Sequence, residues 1–313
     1  MKLWLAPLHG ITYFYFRNLL CRHAGGIDAA ITPFFPVLPA SRLNVRKWKD
    51  LLPENNTESE VIPQLMGNVA SDFVDTVLAL EDLGYSHVNW NLGCSMKQIV
   101  RRKRGCGLMP YPSLIEETVR KVTKESRCKL SLKIRLGLHS PEEGKELLLR
   151  LNAYPVEFIV IHPRLGEWLY EGKPDLAAFD LFYSLSEHEL VYNGDITDLS
   201  SFLSLSERYS GMKQWMLGRG LLRNPFLAEQ IREYASGIPF TGNYKDRFRL
   251  FYRDLIAVMP AQRGISGTLG HLKELWHYFA YFWNLDLPAQ TGLWRINDLD
   301  RFIDTTWRII NAD

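Results

Sequence analysis

Eight short apolar runs, at residues 3–6, 29–32, 61–66, 87–92, 130–136, 158–162, 190–193 and 215–217, recur through the first two thirds of the chain. Most are continuous rather than alternating. That pattern belongs to strands buried on both faces, as in a parallel sheet covered by helices. The stretches between them carry apolar residues at helical spacing: Phe73, Val74, Val77, Leu78 and Leu80 within 71–83, and Leu114, Ile115, Val119 and Val122 within 112–126. Eight strand-helix units in about 220 residues predict an α/β fold of the (β/α)8 TIM-barrel type, whose reactive groups come from the C-terminal strand ends and the loops after them. A doubly wound sheet is the main rival, but no Gly-x-Gly-x-x-Gly follows the first strand.

Near Gly237-Ile238-Pro239 and Gly242-Asn243 the composition turns to breakers, and no strand-like run follows. The expected organisation is a barrel over 1–236 and a small helical domain over 237–313. Segments 244–259 and 268–283 read as amphipathic helices, with Phe248, Phe251, Tyr252, Trp276, Tyr278, Phe279, Phe282 and Trp283 mostly in a core and the Arg and Lys side chains at the edge.

A net charge of +2 over 313 residues excludes binding to nucleic acid through the global field, so any such contact needs local patches. Lys97, Arg101, Arg102, Lys103, Arg104, Lys121, Lys124 and Arg127 make one such patch, and Lys245, Arg247, Arg249 and Arg253 make another. The four cysteines, Cys21, Cys94, Cys106 and Cys128, include no Cys-x-x-Cys pair and no zinc-like spacing. Neither a metal site nor a disulfide framework is expected, and the default compartment is the reducing cytoplasm. The apolar run at the N-terminus is too short for a signal peptide, and no run approaches the roughly 18 apolar residues of a membrane span.

In a barrel, the residues that end the strands converge on one mouth. They are Pro7-Leu8-His9-Gly10, Thr32-Pro33, Gln64, Asn91 and Cys94, Lys133 and Arg135, His162 and Arg164, Asn193-Gly194-Asp195, and Gly218-Arg219-Gly220. Taken singly, Lys133 reads as a lysine snorkelling from a strand end and His162 as a hydrogen-bonded core histidine. Together, inside apolar strands, they point to a site where polar groups are held at a cost. Asn91-Leu92-Gly93-Cys94 places a thiol on a loop beside a basic cluster, which suits a polyanionic substrate. The Gly-containing loops after the last two strands lie where barrels bind phosphate, and Arg219 adds a bidentate donor.

With these motifs in their order, the sequence resembles the tRNA-dihydrouridine synthases. Leu5-Ala6-Pro7-Leu8-His9-Gly10 is similar to that family's A-P-M-x-G, Asn91-Leu92-Gly93-Cys94 to N-x-G-C-P, and Leu132-Lys133-Ile134-Arg135-Leu136-Gly137 to K-x-R-x-G. His162-Pro163-Arg164 is similar to H-x-R, Asn193-Gly194-Asp195 to N-G-D/E, and Gly218-Arg219-Gly220 to G-R-G/A. The resemblance implies a flavoenzyme that reduces uridine in tRNA to dihydrouridine, with tightly bound FMN, NADPH as reductant and Cys94 as proton donor. It also implies that Pro7, Leu8, His9, Gln64, Lys133, His162, Asn193, Gly194, Asp195, Gly218 and Arg219 hold the cofactor. Asn91, Arg164, Arg101 and Arg102 would meet the substrate, the helical domain would contact RNA, and a monomer is expected. A free thiol with a pKa of about 8.5 is protonated at neutral pH and can donate to C5 of the base. Ser95 stands where the family has Pro, the loop after Cys94 is basic rather than small-residue-rich, and Pro33 stands where an acidic residue is common. The alternatives are an FMN barrel acting on a small molecule, and a non-catalytic flavin- or RNA-binding relative.

Overall fold

The computed structural model of the protein describes residues 1–238 and 242–312. The apolar runs form β1 (Lys2–Leu5), β2 (Ala29–Ile31), β4 (Glu60–Ile62), β5 (Gln64–Met66), β6 (His87–Leu92), β7 (Lys129–Gly137), β8 (Val156–Leu165), β9 (Leu190–Tyr192) and β10 (Gln214–Leu217), with a two-residue β3 (Phe35–Pro36) beside β5. The hydrogen-bonded order is β3-β5-β6-β7-β8-β9-β10-β1-β2-β4. β4 and β5 are one strand interrupted by Pro63, which has no N–H for the ladder. The first half pairs in parallel with β2 (Ala29 opposite Glu60) and the second with β6 (Gln64 opposite Asn89), so the two ends of the sheet meet across one residue. Pro63 still accepts the Asn89 N–H at 2.8 Å, and the Thr32 hydroxyl takes the Gln64 N–H at 2.9 Å. The ring is a closed eight-stranded barrel.

Side-chain parity divides the strands between two apolar environments. Trp4, Ala6, Ala29, Ile31, Ile62, Phe158, Val160, Val191 and Met216 fill the interior. Their neighbours Leu3, Leu5, Ala30, Val88, Trp90, Leu132, Ile134, Ile161, Trp215 and Leu217 pack under the helices. Burial on both sides accounts for the unbroken apolar runs.

Helices Ala70–Asp82 and Pro112–Glu125 form where the spacing predicts them. The strict alternation fails once: residues 32–59 carry no α-helix, only four 3-10 turns between Ala40 and Asn55. Pro33, Pro36, Pro39 and Pro53 in that stretch each remove a backbone donor and a helical hydrogen bond. Arg17, on the helix Phe14–His23, ties the segment down. Its fully buried guanidinium donates to Thr12 O at 2.6 Å, Asp50 Oδ2 at 3.1 Å, Asp50 O at 3.0 Å and Asn56 Oδ1 at 2.6 Å.

The two C-terminal segments are helical as expected and follow one another within Tyr244–Phe282, where the helix is broken at Gly264, whose φ 70° and ψ 169° lie outside the helical region. Leu287–Trp294 and Leu299–Ile310 complete the bundle. Phe248, Phe251, Tyr252, Trp276 and Phe279 are core residues, and Trp283 is also buried. The long helix docks on the barrel: Arg247 pairs with Glu229 at 2.8 Å and donates to His23 O, and Phe251 meets Phe16 edge-on at 5.8 Å. Pro239, one of the breakers read as a boundary, lies outside the described residues. No described helix is long and apolar enough to cross a membrane.

Arg17→Met leaves the Asp50 carboxyl, whose pKa burial already raises, without its guanidinium. The expected cost is about 3–5 kcal/mol in denaturant unfolding, partly recovered by adding Asp50→Leu. A loss below about 1 kcal/mol would show that the 3-10 segment is held by other contacts.

Candidate active site

A cleft opens at the C-terminal ends of the strands. Its larger chamber, about 420 Å³, is lined by Pro7, Leu8, His9, Phe34, Asn91, Cys94, Lys133, Arg135, His162, Tyr170, Arg219, Glu274 and Tyr278 among others. It shares Pro7, Leu8, Lys133, His162, Tyr170 and Arg219 with a recess of about 70 Å³ that runs between Asn193–Thr197 and Gly218–Gly220. The cleft thus brings together His9, Asn91 and Cys94 at one end with Asn193, Gly194, Asp195 and Gly218 at the other. Gln64 is fully buried beneath the floor, bonded to Asn89 and Asn91.

The loop that carries Cys94 is held on three sides. Asn91 Oδ1 accepts the N–H groups of Gly93 at 3.1 Å and Cys94 at 2.9 Å, an Asx turn that aims the chain away from β6. Arg135, buried, donates to Gly93 O at 2.9 Å and Leu165 O at 2.8 Å. Cys106 N–H reaches Cys94 O at 3.0 Å, and this close return requires Gly105 at φ 55°, where a Cβ would stand 2.4 Å from Cys94 O. Burial pushes the Cys94 thiol up, against the opposing pull of the Met96 N–H and the Arg135 charge. The thiol is therefore protonated at neutral pH.

Lys133 has no hydrogen-bond or ion-pair partner among the described residues. Burial, helped by the charge of Arg135, lowers its pKa to about 7. An orphan amine on a cleft wall gains from any anionic or carbonyl oxygen that enters. His162 is held neutral by burial and by the nearby charges of Lys133, Arg135, Arg164 and Arg219. Arg164 Nη1 donates to its Nε2 at 2.9 Å, so the ring proton sits on Nδ1.

Arg164, expected to touch the substrate, does not line the cleft. It lies behind His162, 1% exposed, with its donors taken by His162, Asp195, Glu171 O and Gly172 O. Arg101 and Arg102 are exposed on a turn after the helix Lys97–Val100, outside the cleft lining. Asp195, at φ 42°, bridges Arg164 at 2.5 Å and Arg219 at 2.8 Å, and these guanidinium groups hold its carboxyl below its ordinary range.

The recess suits a phosphate. The backbone N–H groups of Gly194, Asp195 and Ile196 have no acceptor among the described residues, and Arg219 borders the same space. Gly220 packs so tightly that a Cβ would stand 2.1 Å from Ile196 O, which presses the loops on either side of the recess together. Unpaired donors in the recess and an unpaired amine at its entrance fit a ring system with a phosphate tail.

Tyr170, Glu274 and Tyr278 are among the lining residues that escaped the sequence reading. Tyr170 stands between Arg135 at 5.4 Å and Arg219 at 4.9 Å from its ring, in the apolar triplet Trp168-Leu169-Tyr170 of an otherwise polar loop, a readable signal. Glu274 and Tyr278 come from the long helix, four residues apart on one face, and cover the mouth. Nothing in that helix's sequence says which surface it crosses. Arg263 fixes the crossing by donating to Tyr15 Oη at 2.6 Å and to Gly10 O, which secures the loop bearing Pro7, Leu8 and His9.

Among solved structures the chain is similar to histamine dehydrogenase from Rhizobium sp. 4-9, with TM-score 0.58 and 11% identity over 74% of this chain and 45% of that one. It is also similar to morphinone reductase in complex with tetrahydroNAD, with TM-score 0.53 and 10% identity over 75% of this chain and 87% of that one. At these identities the likeness establishes the fold. A Staphylococcus aureus (strain COL) protein described as a probable tRNA-dihydrouridine synthase is 26% identical over 239 residues, covering 74% of this chain and 72% of its own. A Rhodobacter capsulatus protein of the same description is 26% identical over 274 residues, covering 86% of this chain and 84% of its own. The family model for dihydrouridine synthase (Dus) matches residues 4–279, from the first strand through the helix that roofs the cleft, and the chain belongs to that family.

Proposed function

We propose that the cleft reduces a uridine of tRNA to dihydrouridine, with tightly bound FMN as cofactor and NADPH as the reductant that recharges it. The observation that carries this reading is the pairing, in one cleft, of a protonated thiol at Cys94 with an unpartnered amine at Lys133 above a donor-lined recess. When bound, FMN would supply hydride to C6 of the uracil.

The chain's own residues account for the rest. Lys133 would hold the polar edge of the ring system and favour negative charge there. Arg219 and the N–H groups of Gly194, Asp195 and Ile196 would hold the phosphate, with Pro7, Leu8, Asn193 and Gly218 as packing walls. His9 stacks on Phe34 at 4.7 Å on the opposite wall, so it would border the base rather than the phosphate. Gln64 would act from below through Asn91. Cys94 would give its thiol proton to C5 of the base, and solvent would reprotonate the thiolate. His162 presents a neutral Nδ1–H, and Arg164 fixes that tautomer. Arg101 and Arg102, exposed on the turn past the Cys94 loop, would meet RNA phosphates together with cations of a helical domain over 237–313, set on a barrel over 1–236. The target base must leave its stack to reach the chamber. A cytoplasmic monomer fits this reading. A small-molecule oxidoreductase would have no use for the exposed cations past Cys94, which favours RNA.

Cys94→Ala is expected to keep its yellow FMN absorbance and to lose uridine reduction by about 10²-fold or more, measured as dihydrouridine formed in tRNA. Because burial raises the thiol's pKa, the wild-type rate should hold through neutral pH and fall only above the ordinary thiol value of 9.0, as the proton is lost. Unchanged turnover in the variant would remove Cys94 from the proton-donor role.

Lys133→Met should weaken FMN retention by about tenfold, the loss of one charge-assisted hydrogen bond. At pH 8 the free wild-type amine is mostly neutral, with its pKa lowered to about 7. Binding an anionic partner raises that pKa, so calorimetry in buffers of different ionisation enthalpy should register proton uptake that the variant lacks. Equal flavin affinity and equal uptake would make this lysine structural.

A further inference from the structure

A line of buried amides runs down the inside of the barrel from the Cys94 loop. Its upper end is fixed by chemistry: the Gly93 and Cys94 N–H groups can only donate, so Asn91 must turn Oδ1 toward them. Asn91 Nδ2 then donates to Gln64 Oε1 at 2.7 Å, and Gln64 Nε2 to Asn89 Oδ1 at 2.8 Å. Asn89 Nδ2 donates to Ser131 Oγ at 2.9 Å, and that hydroxyl lies 3.0 Å from His87 Nε2 at the barrel's base. Burial holds His87 neutral, with a pKa lowered to about 4, and the Ser131 proton can go to its Nε2 or to Val88 O at 3.4 Å. Every amide donor points the same way, from the thiol loop toward the base.

Such a chain has one consistent arrangement. Gln64, Asn89 and Ser131 are fully buried, so no water competes for their polar atoms. If Gln64 turns over, its NH2 faces that of Asn91, and Asn91 can relieve the clash only by presenting its own NH2 to Gly93 and Cys94. The loop then loses both of its side-chain hydrogen bonds. The backbone donors of Gly93 and Cys94 set the direction, and Asn89, braced by Ser131, supplies the acceptor that the Gln64 amide needs to keep it.

We propose that Asn89 and Ser131 are positioning residues that lock the Gln64 and Asn91 amides and so hold the Cys94 loop in its presenting conformation. The catalytic consequence rests on the proposed uridine reduction; the structural consequence does not. In the full-length, flavin-loaded protein, hydrogen-deuterium exchange at Gly93 and Cys94 should accelerate on the order of tenfold in Asn89→Leu, which removes Gln64's acceptor. Exchange across helix 70–82 should stay at the wild-type rate. kcat for uridine in tRNA should fall by about tenfold at saturating FMN. Asn89→Asp keeps an acceptor toward Gln64 and should restore both readouts to within about threefold of wild type.

Exchange at Gly93 and Cys94 unchanged in Asn89→Leu, or raised equally in helix 70–82, would overturn the proposal. So would failure of Asn89→Asp to restore protection. Exchange that follows the prediction in a protein with no uridine reduction would uphold the positioning role and sink the functional reading instead.

Discussion

Closure of the ring at Pro63 is the constraint on which the site depends. A single strand must serve β2 with its first half and β6 with its second, and a residue with no N–H stands at the change of partner. Because that handover succeeds, β7 and β10 face one another across a mouth instead of lying apart on an open sheet. Lys133, Arg135 and Arg219 then line one cleft with Arg164 just behind it, and among the described lining residues Asp195 and Glu274 are the carboxylates that oppose them. Burial, with the repulsion of neighbouring cations added to it, weakens the hold of Lys133 and His162 on protons. The charges lining the cleft favour an anion there.

The four cations divide the work. Arg135 and Arg164 spend their guanidinium groups on backbone carbonyls, His162 and Asp195, and thereby shape loops and a tautomer. Lys133 is left open, and Arg219 is half committed through Asp195. The motifs Lys-x-Arg and His-x-Arg share this logic: alternate positions on one strand point inward, the first member faces the cleft, and the arginine locks what surrounds it. Removing either arginine would disturb geometry before chemistry.

Much of this was legible in the sequence because burial on both faces of a strand leaves a short continuous apolar run that a half-exposed strand does not imitate, and eight such runs alternate with segments of helical spacing. The strand-end residues followed once the runs were aligned, and Cys94, Lys133, His162 and the Gly218 loop fall around one cleft for that reason. What could not be read was contact at a distance. Arg164 looked free because nothing in His162-Pro163-Arg164 shows the carbonyls of Glu171 and Gly172 folding back on it. Glu274 and Tyr278 looked like two more positions on an amphipathic helix, since the crossing is set by Arg263 meeting Tyr15 and Gly10 far away in the chain. Asn89 and Ser131 were hidden inside apolar runs, where a single polar residue reads as noise until its partner across the barrel is known. The missing helix after β2 was signalled by four prolines, but the regular period of the other units outweighed them.

In the proposed reading, residues from separate strands form one site for a flat ring system with a phosphate tail beside a protonated thiol. A crystal structure of the FMN-loaded protein tests it most directly. The ring is expected in the chamber with Lys133 Nζ within about 3.2 Å of a polar ring atom, the phosphate on the Gly194 and Arg219 loops, and the Cys94 side chain on the open face of the ring. A flavin bound out of reach of Lys133, or a phosphate outside the recess, would contradict it.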